Sequence, residues 1–241
     1  MGVIVYGDFN CPYSYLASQR VDMLRRVGVE VDWRAVEHDP GLSMTGTPSA
    51  GAAARSGQNP AAIALPAPPA EHRPDAAPPL VSNTLAAVSA YAEAVTDGVQ
   101  HEVRRALFDA IWLDGRHLSG AYDVRALVAA ITYPPYPIAP YLISPELPPP
   151  GYGDPGTLRI TRMLGGTVAP NGIPLTTTGW RRVRRWRDDW LAVAGNTVPV
   201  AVAPDGAAYR GIQALAYLAD LLDGSAGGAT PPPAPAALAA V

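Results

Sequence analysis

Cys11 is the only cysteine among 241 residues, so thiol chemistry in this chain runs through one sulfur and no intramolecular disulfide can form. It stands in Asp8-Phe9-Asn10-Cys11-Pro12-Tyr13-Ser14-Tyr15-Leu16, where an apolar β-prone run hands over to a helical pattern. A helix N-terminus carries unpaired N–H groups and the positive end of the peptide dipoles, and both favour an anion. The thiolate is the reactive form of cysteine, and helix N-termini lower thiol pKa values. Ser14 follows three residues on, where its hydroxyl can donate a hydrogen bond to the sulfur. A lone cysteine is ordinarily a small buried hydrophobe. The position between strand and helix is what argues for a functional thiol at Cys11, with Ser14 as its partner. Tyr13 and Tyr15 read as core aromatics of the helix or as hydroxyls that orient a substrate.

A second feature lies far along the chain. Pro199, after Val198, stands directly before the β-prone run Val200-Ala201-Val202-Ala203. Proline removes a ladder donor, so it suits the first position of a strand and not its middle. The arrangement makes more sense still as a cis peptide bond. An ordinary edge-strand proline is the plainer reading, and the Cys11 segment is what argues against it.

The elements that must position these residues follow from periodicity. Val3 to Tyr6 are β-prone and apolar. Tyr13, Leu16, Ala17, Val21, Leu24 and Val27 recur mostly at three- and four-residue steps, which marks one face of a helix. Asn10 or Cys11 caps it, Pro12 suits its first position because it has no N–H to lose, and Gly28 ends it. Val29, Val31 and Trp33 alternate with Glu30, Asp32 and Arg34, a second strand over 29–36. Such a β-α-β opening implies a parallel pair with a right-handed crossover.

Residues 40–80 are rich in Pro, Gly, Ala and Ser without sustained period, a lid or a disordered stretch. Helices are predicted over 83–97 and 99–113, broken at Asp97-Gly98, then at about 121–131, 157–164 and 176–194. The Pro-dense stretch 134–155 cannot be regular helix or central strand. Strands follow at 197–203 and 207–210 around Pro204-Asp205-Gly206, then a helix over 211–222.

That order is an α/β chain: a thioredoxin fold with a central mixed sheet and an inserted helical subdomain. Residues 1–40 and 176–223 make the discontinuous thioredoxin-like part. Residues 41–175 make the helical insertion with its Pro-rich loops, and 224–241 a disordered tail.

Composition narrows the function. A net charge of −3 argues against a nucleic-acid binder driven by overall charge. The one basic cluster, Trp180 to Trp190, reads as a solvated arginine face opposite a stripe of Trp180, Val183, Trp186 or Arg187, and Trp190. A further reading has one arginine reaching an anionic substrate. No apolar run reaches the length of a membrane span, and the N-terminus lacks a signal-peptide pattern, so a cytoplasmic protein is expected. His38, His72, His101 and His117 show no metal-ligand spacing, although His38 and Asp39 can edge the site. No G-x-G-x-x-G or Walker pattern is present, so no nucleotide is expected. All 18 basic residues are arginine, which we read as the coding bias of a GC-rich, actinobacterial genome.

The stretch Val3 to Ala17 resembles the opening of the 2-hydroxychromene-2-carboxylate isomerase and DsbA-like oxidoreductase group, with the kappa-class glutathione transferases. Their pattern is a short strand and then D-F-x-[CS]-P-[YW]-[SC]-[YW]. Thr197-Val198-Pro199 through Arg210-Gly211-Ile212-Gln213-Ala214-Leu215 resembles the group's G-V-P loop, turn and G-x-Q helix start, with Thr197 in place of glycine. The matches cover roughly 50 residues at the two ends. The resemblance implies a cis proline facing the active-site helix and substrate bound between the first helix, the Pro199 loop and the insertion. Asn10, Pro12, Tyr13, Val198, Pro199 and Gln213 become binding residues beside Cys11 and Ser14. Relatives suggest a homodimer.

Two departures shape the functional expectations. The second cysteine of a dithiol oxidoreductase is Ser14 here, and the position that is commonly serine in the isomerases is Cys11. One expectation is a monothiol thiol–disulfide oxidoreductase or isomerase, with no permanently bound cofactor, resolved by glutathione or another low-molecular-weight thiol. A second is a thiol-cofactor-dependent isomerase or transferase, in which Cys11 or Ser14 orients the cofactor sulfur and the Val198 backbone binds it. A third is a thioredoxin-like binding module without turnover. The partner expected in the first two is a small-molecule or thiol/disulfide substrate, with neither nucleic acid nor membrane.

Overall fold

The structure is a computed structural model that describes residues 2–49, 67–74, 76–132 and 176–227. The chain divides into two compact units. The first comprises residues 1–38, 53–77 and 186–241, and the second 39–52 and 78–185.

The first unit is built on a four-stranded mixed sheet. Strand β1 (Val3–Gly7) is central, parallel to β2 (Val31–Ala35) and antiparallel to β5 (Val200–Val202), which pairs antiparallel with β6 (Ala208–Arg210). The register sets Val5 opposite Trp33 on one side and Ala201 on the other. Val3, Val5 and Tyr6 of this strand are all buried.

Helix α1 (Pro12–Arg26) leaves β1 through the turn at Asp8 and Phe9, with Cys11 as N-cap and Pro12 in its first turn. Leu16, Ala17, Val21 and Leu24 are wholly buried. Their spacing is the one the sequence pattern named. The helix stops at Gly28, whose φ of 85° turns the chain, and the Val29 N–H returns to the Leu24 carbonyl at 3.0 Å. The last helix, α6 (Ile212–Gly227), buries Ala214, Leu215 and Leu218 and packs on α1. It continues past Leu222, so residues 224–227 are helical and do not belong to the expected tail. The rest of that tail lies outside the described residues.

In the second unit, three helices pack on one another: α2 (Leu85–Asp97), α3 (Gln100–Trp112) and α4 (Ala121–Thr132). Gly98, at φ 74°, makes the break between the first two. Tyr91, Leu107, Phe108 and Ile111 fill the interior. Inside the stretch read from sequence as patternless, β3 (Thr47–Pro48) pairs antiparallel with β4 (Leu80–Val81). Two residues per strand are too few to show a period, which is why the pattern hides them. The helix expected at 157–164 and the Pro-dense stretch 134–155 lie outside the described residues.

The division runs differently from the sequence expectation in two places, and hydrogen bonds explain both. Residues 71 and 72 go with the first unit because α1 holds them. Gln19 exchanges two hydrogen bonds with the His72 backbone, both 2.7 Å, and Arg20 binds Glu71 at 2.5 Å. Helix α5 (Thr177–Ala194) is split. Its start is held by α2, with Thr176 N–H and Oγ1 on Glu93 Oε1 at 2.6 and 2.7 Å and Arg182 on the Ala92 carbonyl. Its last turns bury Trp186, Trp190 and Ala194. Trp180, expected in that buried stripe, is 45% exposed and lies under the Arg184 guanidinium at 4.6 Å.

Candidate active site at Cys11

The end of β1 and the start of α1 fold into a tight turn, and its hydrogen bonds involve the residues around the thiol. The Asp8 N–H donates to Ser14 Oγ at 3.2 Å. The Asp8 carboxylate accepts the Asn10 N–H at 3.1 Å and the His38 N–H at 2.7 Å. The Cys11 N–H returns to the Asp8 carbonyl at 3.1 Å. Asp8 is buried, with 2% of its surface exposed, so its charge is compensated by these N–H donors. Gly7 allows the close approach beneath the turn: a Cβ there would stand 2.4 Å from Trp33 Cζ2 and 3.2 Å from Ser14 Cβ.

Cys11 Sγ is 3.7 Å from the Val198 carbonyl oxygen, placed as a donor. The Val198–Pro199 peptide bond is cis. Four successive carbonyls of this loop have partners from four parts of the chain. Asn196 O meets His38 Nε2 at 3.0 Å, Thr197 O accepts from Trp190 Nε1 at 2.7 Å, Val198 O faces Cys11, and Pro199 O accepts the Gly211 N–H at 2.8 Å.

The electrostatics run against the sequence expectation. Burial pushes the Cys11 thiol up to about 11. Hydrogen bonds from the Ser14 side chain, the Ser14 N–H and the Tyr13 N–H pull it down, and the nearby Asp8 carboxylate adds to the upward push. The helix N-terminus does supply donors to the sulfur. Desolvation of a sulfur with only 3% of its residue exposed outweighs them.

A strand–helix turn bearing one thiol thus stands opposite a cis proline at the head of an antiparallel strand. The family model of the DSBA-like thioredoxin domain matches residues 2–132, more than half of the chain. The chain belongs to the DSBA-like thioredoxin family. Among solved structures, a probable DsbA oxidoreductase from Streptomyces coelicolor shares the fold. It has a TM-score of 0.57 at 17% identity, over 98% of this chain and 94% of that one. The cytosolic disulfide reductase DsbM from Pseudomonas aeruginosa with GSH aligns at a TM-score of 0.48 and 14% identity, over 94% of this chain and 96% of that one. No curated protein matches the chain.

Within this DSBA-like site the residues singled out from sequence fall into two groups. Asn10, Cys11, Pro12, Tyr13 and Ser14 share the turn and the first turn of α1, and Val198 and Pro199 face them across Cys11 Sγ. Gln213 stands apart. Ala214 and Leu215 are the residues α6 buries, which turns Gln213 outward to an exposed position, and it has no hydrogen bond to the others among the described residues. The carbonyl of Val198, whose backbone was expected to bind a cofactor, lies 3.7 Å from Cys11 Sγ.

Asp8, Trp190 and Asn196 were not singled out from sequence as site residues, and His38 was read only as a residue that can edge the site. Asp8 carried a signal, being an acid two residues before the N-cap region with Asn10 following, an Asx-turn pattern. Asn196 had one too, as a residue that tolerates its observed φ of 68° after Gly195. Nothing local to Trp190 or His38 indicates the carbonyls they meet. Among the described residues no group of three His, Cys, Asp or Glu is arranged to hold a metal ion. Among the same residues no helix is long and apolar enough to cross a membrane.

Proposed function

We propose that this protein catalyses thiol–disulfide exchange through Cys11 alone. The observation that carries the reading is the pairing of Cys11 Sγ, at the N-cap of α1, with the Val198 carbonyl beside the cis Pro199. The thiolate of Cys11 attacks one sulfur of a disulfide, and that S–S bond breaks. The departing sulfur leaves as a thiolate and takes up a proton. A mixed disulfide with Cys11 remains. A low-molecular-weight thiol such as glutathione then attacks the substrate sulfur, leaves joined to it, and returns Cys11 to its starting form. Ser14 stands where a dithiol enzyme would carry its resolving sulfur, so the second thiol comes from outside.

The raised thiol pKa limits the thiolate available to the first step. With a value of about 11, about one molecule in 10,000 carries the thiolate at pH 7. A more basic thiolate is also a better nucleophile, which returns roughly 60-fold. A deficit on the order of 100-fold remains against a thiol poised near neutrality. Exchange on this reading is slow at neutral pH and speeds up as pH rises.

The same pKa favours a second reading. A thiol that stays neutral is a hydrogen-bond donor, and one such donor can hold the thiolate of a bound cofactor, as in an isomerase or transferase. One substitution separates the two. The protein is incubated with an oxidised glutathione-type disulfide and then with reduced glutathione, and adducts are read by mass spectrometry. The exchange reading expects an adduct on Cys11 that the added thiol removes, and no turnover in Cys11→Ser. Thiol-dependent activity that survives Cys11→Ser selects the second reading, because serine replaces the S–H donor with an O–H donor and loses the thiol nucleophile.

A further inference from the structure

His38 lies between the two halves of the site. Its backbone N–H is bound by the Asp8 carboxylate at 2.7 Å, beneath the Cys11 turn. Its ring Nε2 is 3.0 Å from the Asn196 carbonyl, two residues before the Val198 carbonyl that faces Cys11. We infer that His38 is a positioning residue that sets the spacing between the Cys11 turn and the cis-proline loop by holding one with its backbone and the other with its ring. This inference rests on the thiol reading of the site.

Three observations support it. The first is directional. A carbonyl oxygen can only accept, so the hydrogen bond to Asn196 requires a proton on His38 Nε2. The second is that the ring does not act alone. It meets the Trp190 indole edge-on, with centroids 6.3 Å apart, and Trp190 Nε1 donates to the adjoining Thr197 carbonyl at 2.7 Å. Two neighbouring rings thus hold two neighbouring carbonyls. The third is the backbone between them. Gly195 and Asn196 have φ of 56° and 68°, the left-handed region that side chains other than Asn and Asp avoid. External donors compensate such a conformation by fixing the carbonyls it directs. Asp8 completes the link, because its two oxygens hold the Asn10 N–H on one side and the His38 N–H on the other.

The consequence is for access to sulfur. Cys11 is 3% exposed and its sulfur faces the Val198 carbonyl of the loop that His38 restrains, so releasing the loop should open the thiol to solvent and reagents. The test uses the full chain with His38→Phe, which keeps a ring and loses the donor, and His38→Gln, whose amide nitrogen reaches about as far as Nε2. Alkylation of Cys11 is followed against pH, which gives a midpoint and a limiting rate for the fully formed thiolate.

In His38→Phe the limiting rate is expected to rise at least five-fold and the midpoint to fall by one pH unit or more, on the order of the shifts that partial hydration produces. His38→Gln is expected to stay close to the parent in both. Identical curves for His38→Phe and the parent overturn the inference, as does His38→Gln behaving like His38→Phe. The parent protein supplies a check that needs no variant. Ring ¹⁵N shifts of His38 at pH 8 should report a proton on Nε2, and a ring protonated only on Nδ1 overturns the inference. Alkylation needs no turnover. If the exchange assay fails while the Phe and Gln variants differ as stated, the catalytic reading falls and the positioning role stands.

Discussion

Cys11 Sγ and the Val198 carbonyl oxygen meet at 3.7 Å across 187 residues of sequence. The sulfur that the helix N-terminus would ionise is instead enclosed, and it faces an acceptor that favours a neutral S–H. A group whose charged form is favoured by local dipoles and penalised by burial takes the sign of the larger effect, which here is burial.

Stability at alkaline pH should record this. The Cys11 pKa is raised in the folded chain from 9.0 to about 11, so between these values the folded form holds the proton that the unfolded form releases. Stability from this group is therefore whole below about pH 9 and falls as pH rises through 11, by about 3 kcal/mol in all. Burial also raises Tyr6, and raises Tyr217 to about 12, so alkaline destabilisation has other contributors. Urea titrations of the parent and Cys11→Ala at pH 8, 9, 10 and 11 isolate the thiol. The parent should lose more stability across the range, and parallel losses would show that the thiol is not shielded.

Ser14→Cys should restore a second thiol at the resolving position. Ser14 Oγ already lies in the turn, bonded to the Asp8 N–H and acting on the Cys11 sulfur. The variant is expected to form an internal disulfide on mild oxidation, seen as a loss of about 2 Da. Mixed disulfides on Cys11 should then resolve without added thiol. Persistence of the mixed disulfide in this variant would mean that the position cannot reach it.

Gly7→Ala should disturb both fold and site. The added methyl would lie 2.4 and 2.6 Å from two atoms of the Trp33 ring and 3.2 Å from Ser14 Cβ. Trp33 is buried and cannot swing into solvent. Overpacking of this kind costs about 1–3 kcal/mol. Chemical denaturation should find that loss, and the Cys11 alkylation midpoint should move with it, since Ser14 is pressed from behind.

The Arg20–Glu71 pair should be the most costly surface-distant contact to break. Both side chains are essentially buried, 2.5 Å apart, with Arg20 also on the Leu215 carbonyl and Glu71 also on Arg73 at 3.2 Å. Glu71→Gln removes the negative charge beside a buried guanidinium, an effect of about 3–5 kcal/mol. Arg20→Met with Glu71→Leu should recover most of that loss, because it leaves no buried charge. Equal destabilisation in the single and double variants would mean that packing, not charge, holds residues 67–74 to α1.

Much of the first unit is legible without coordinates. The strand–helix–strand opening shows in the alternation of Val29, Val31 and Trp33 and in the buried stripe Leu16, Ala17, Val21 and Leu24, because a two-sided strand and a one-sided helix each impose a period. Gly28, Pro12 and Gly98 mark element ends through backbone geometry that needs no partner. The two-residue strands β3 and β4 leave no such trace. Nor does the attachment of Glu71 and His72 to α1, since one buried carboxylate in a loop looks like any acid in a polar segment. Trp180 and Trp186 are equally apolar in sequence, yet one is exposed under Arg184 and the other buried.

The sequence by itself determined the nucleophile, since there is one cysteine, and the thioredoxin-like order of elements around it. It also determined that no second thiol in the chain can resolve a mixed disulfide. Only the tertiary structure decided the state of that thiol and the partners of the loop facing it. Capping, periodicity and turn chemistry act over a few neighbouring residues and can be read along the chain. Desolvation sums over every atom packed around the sulfur, and the donors to carbonyls 196 to 199 come from His38, Trp190, Cys11 and Gly211, which meet only when the sheet has formed.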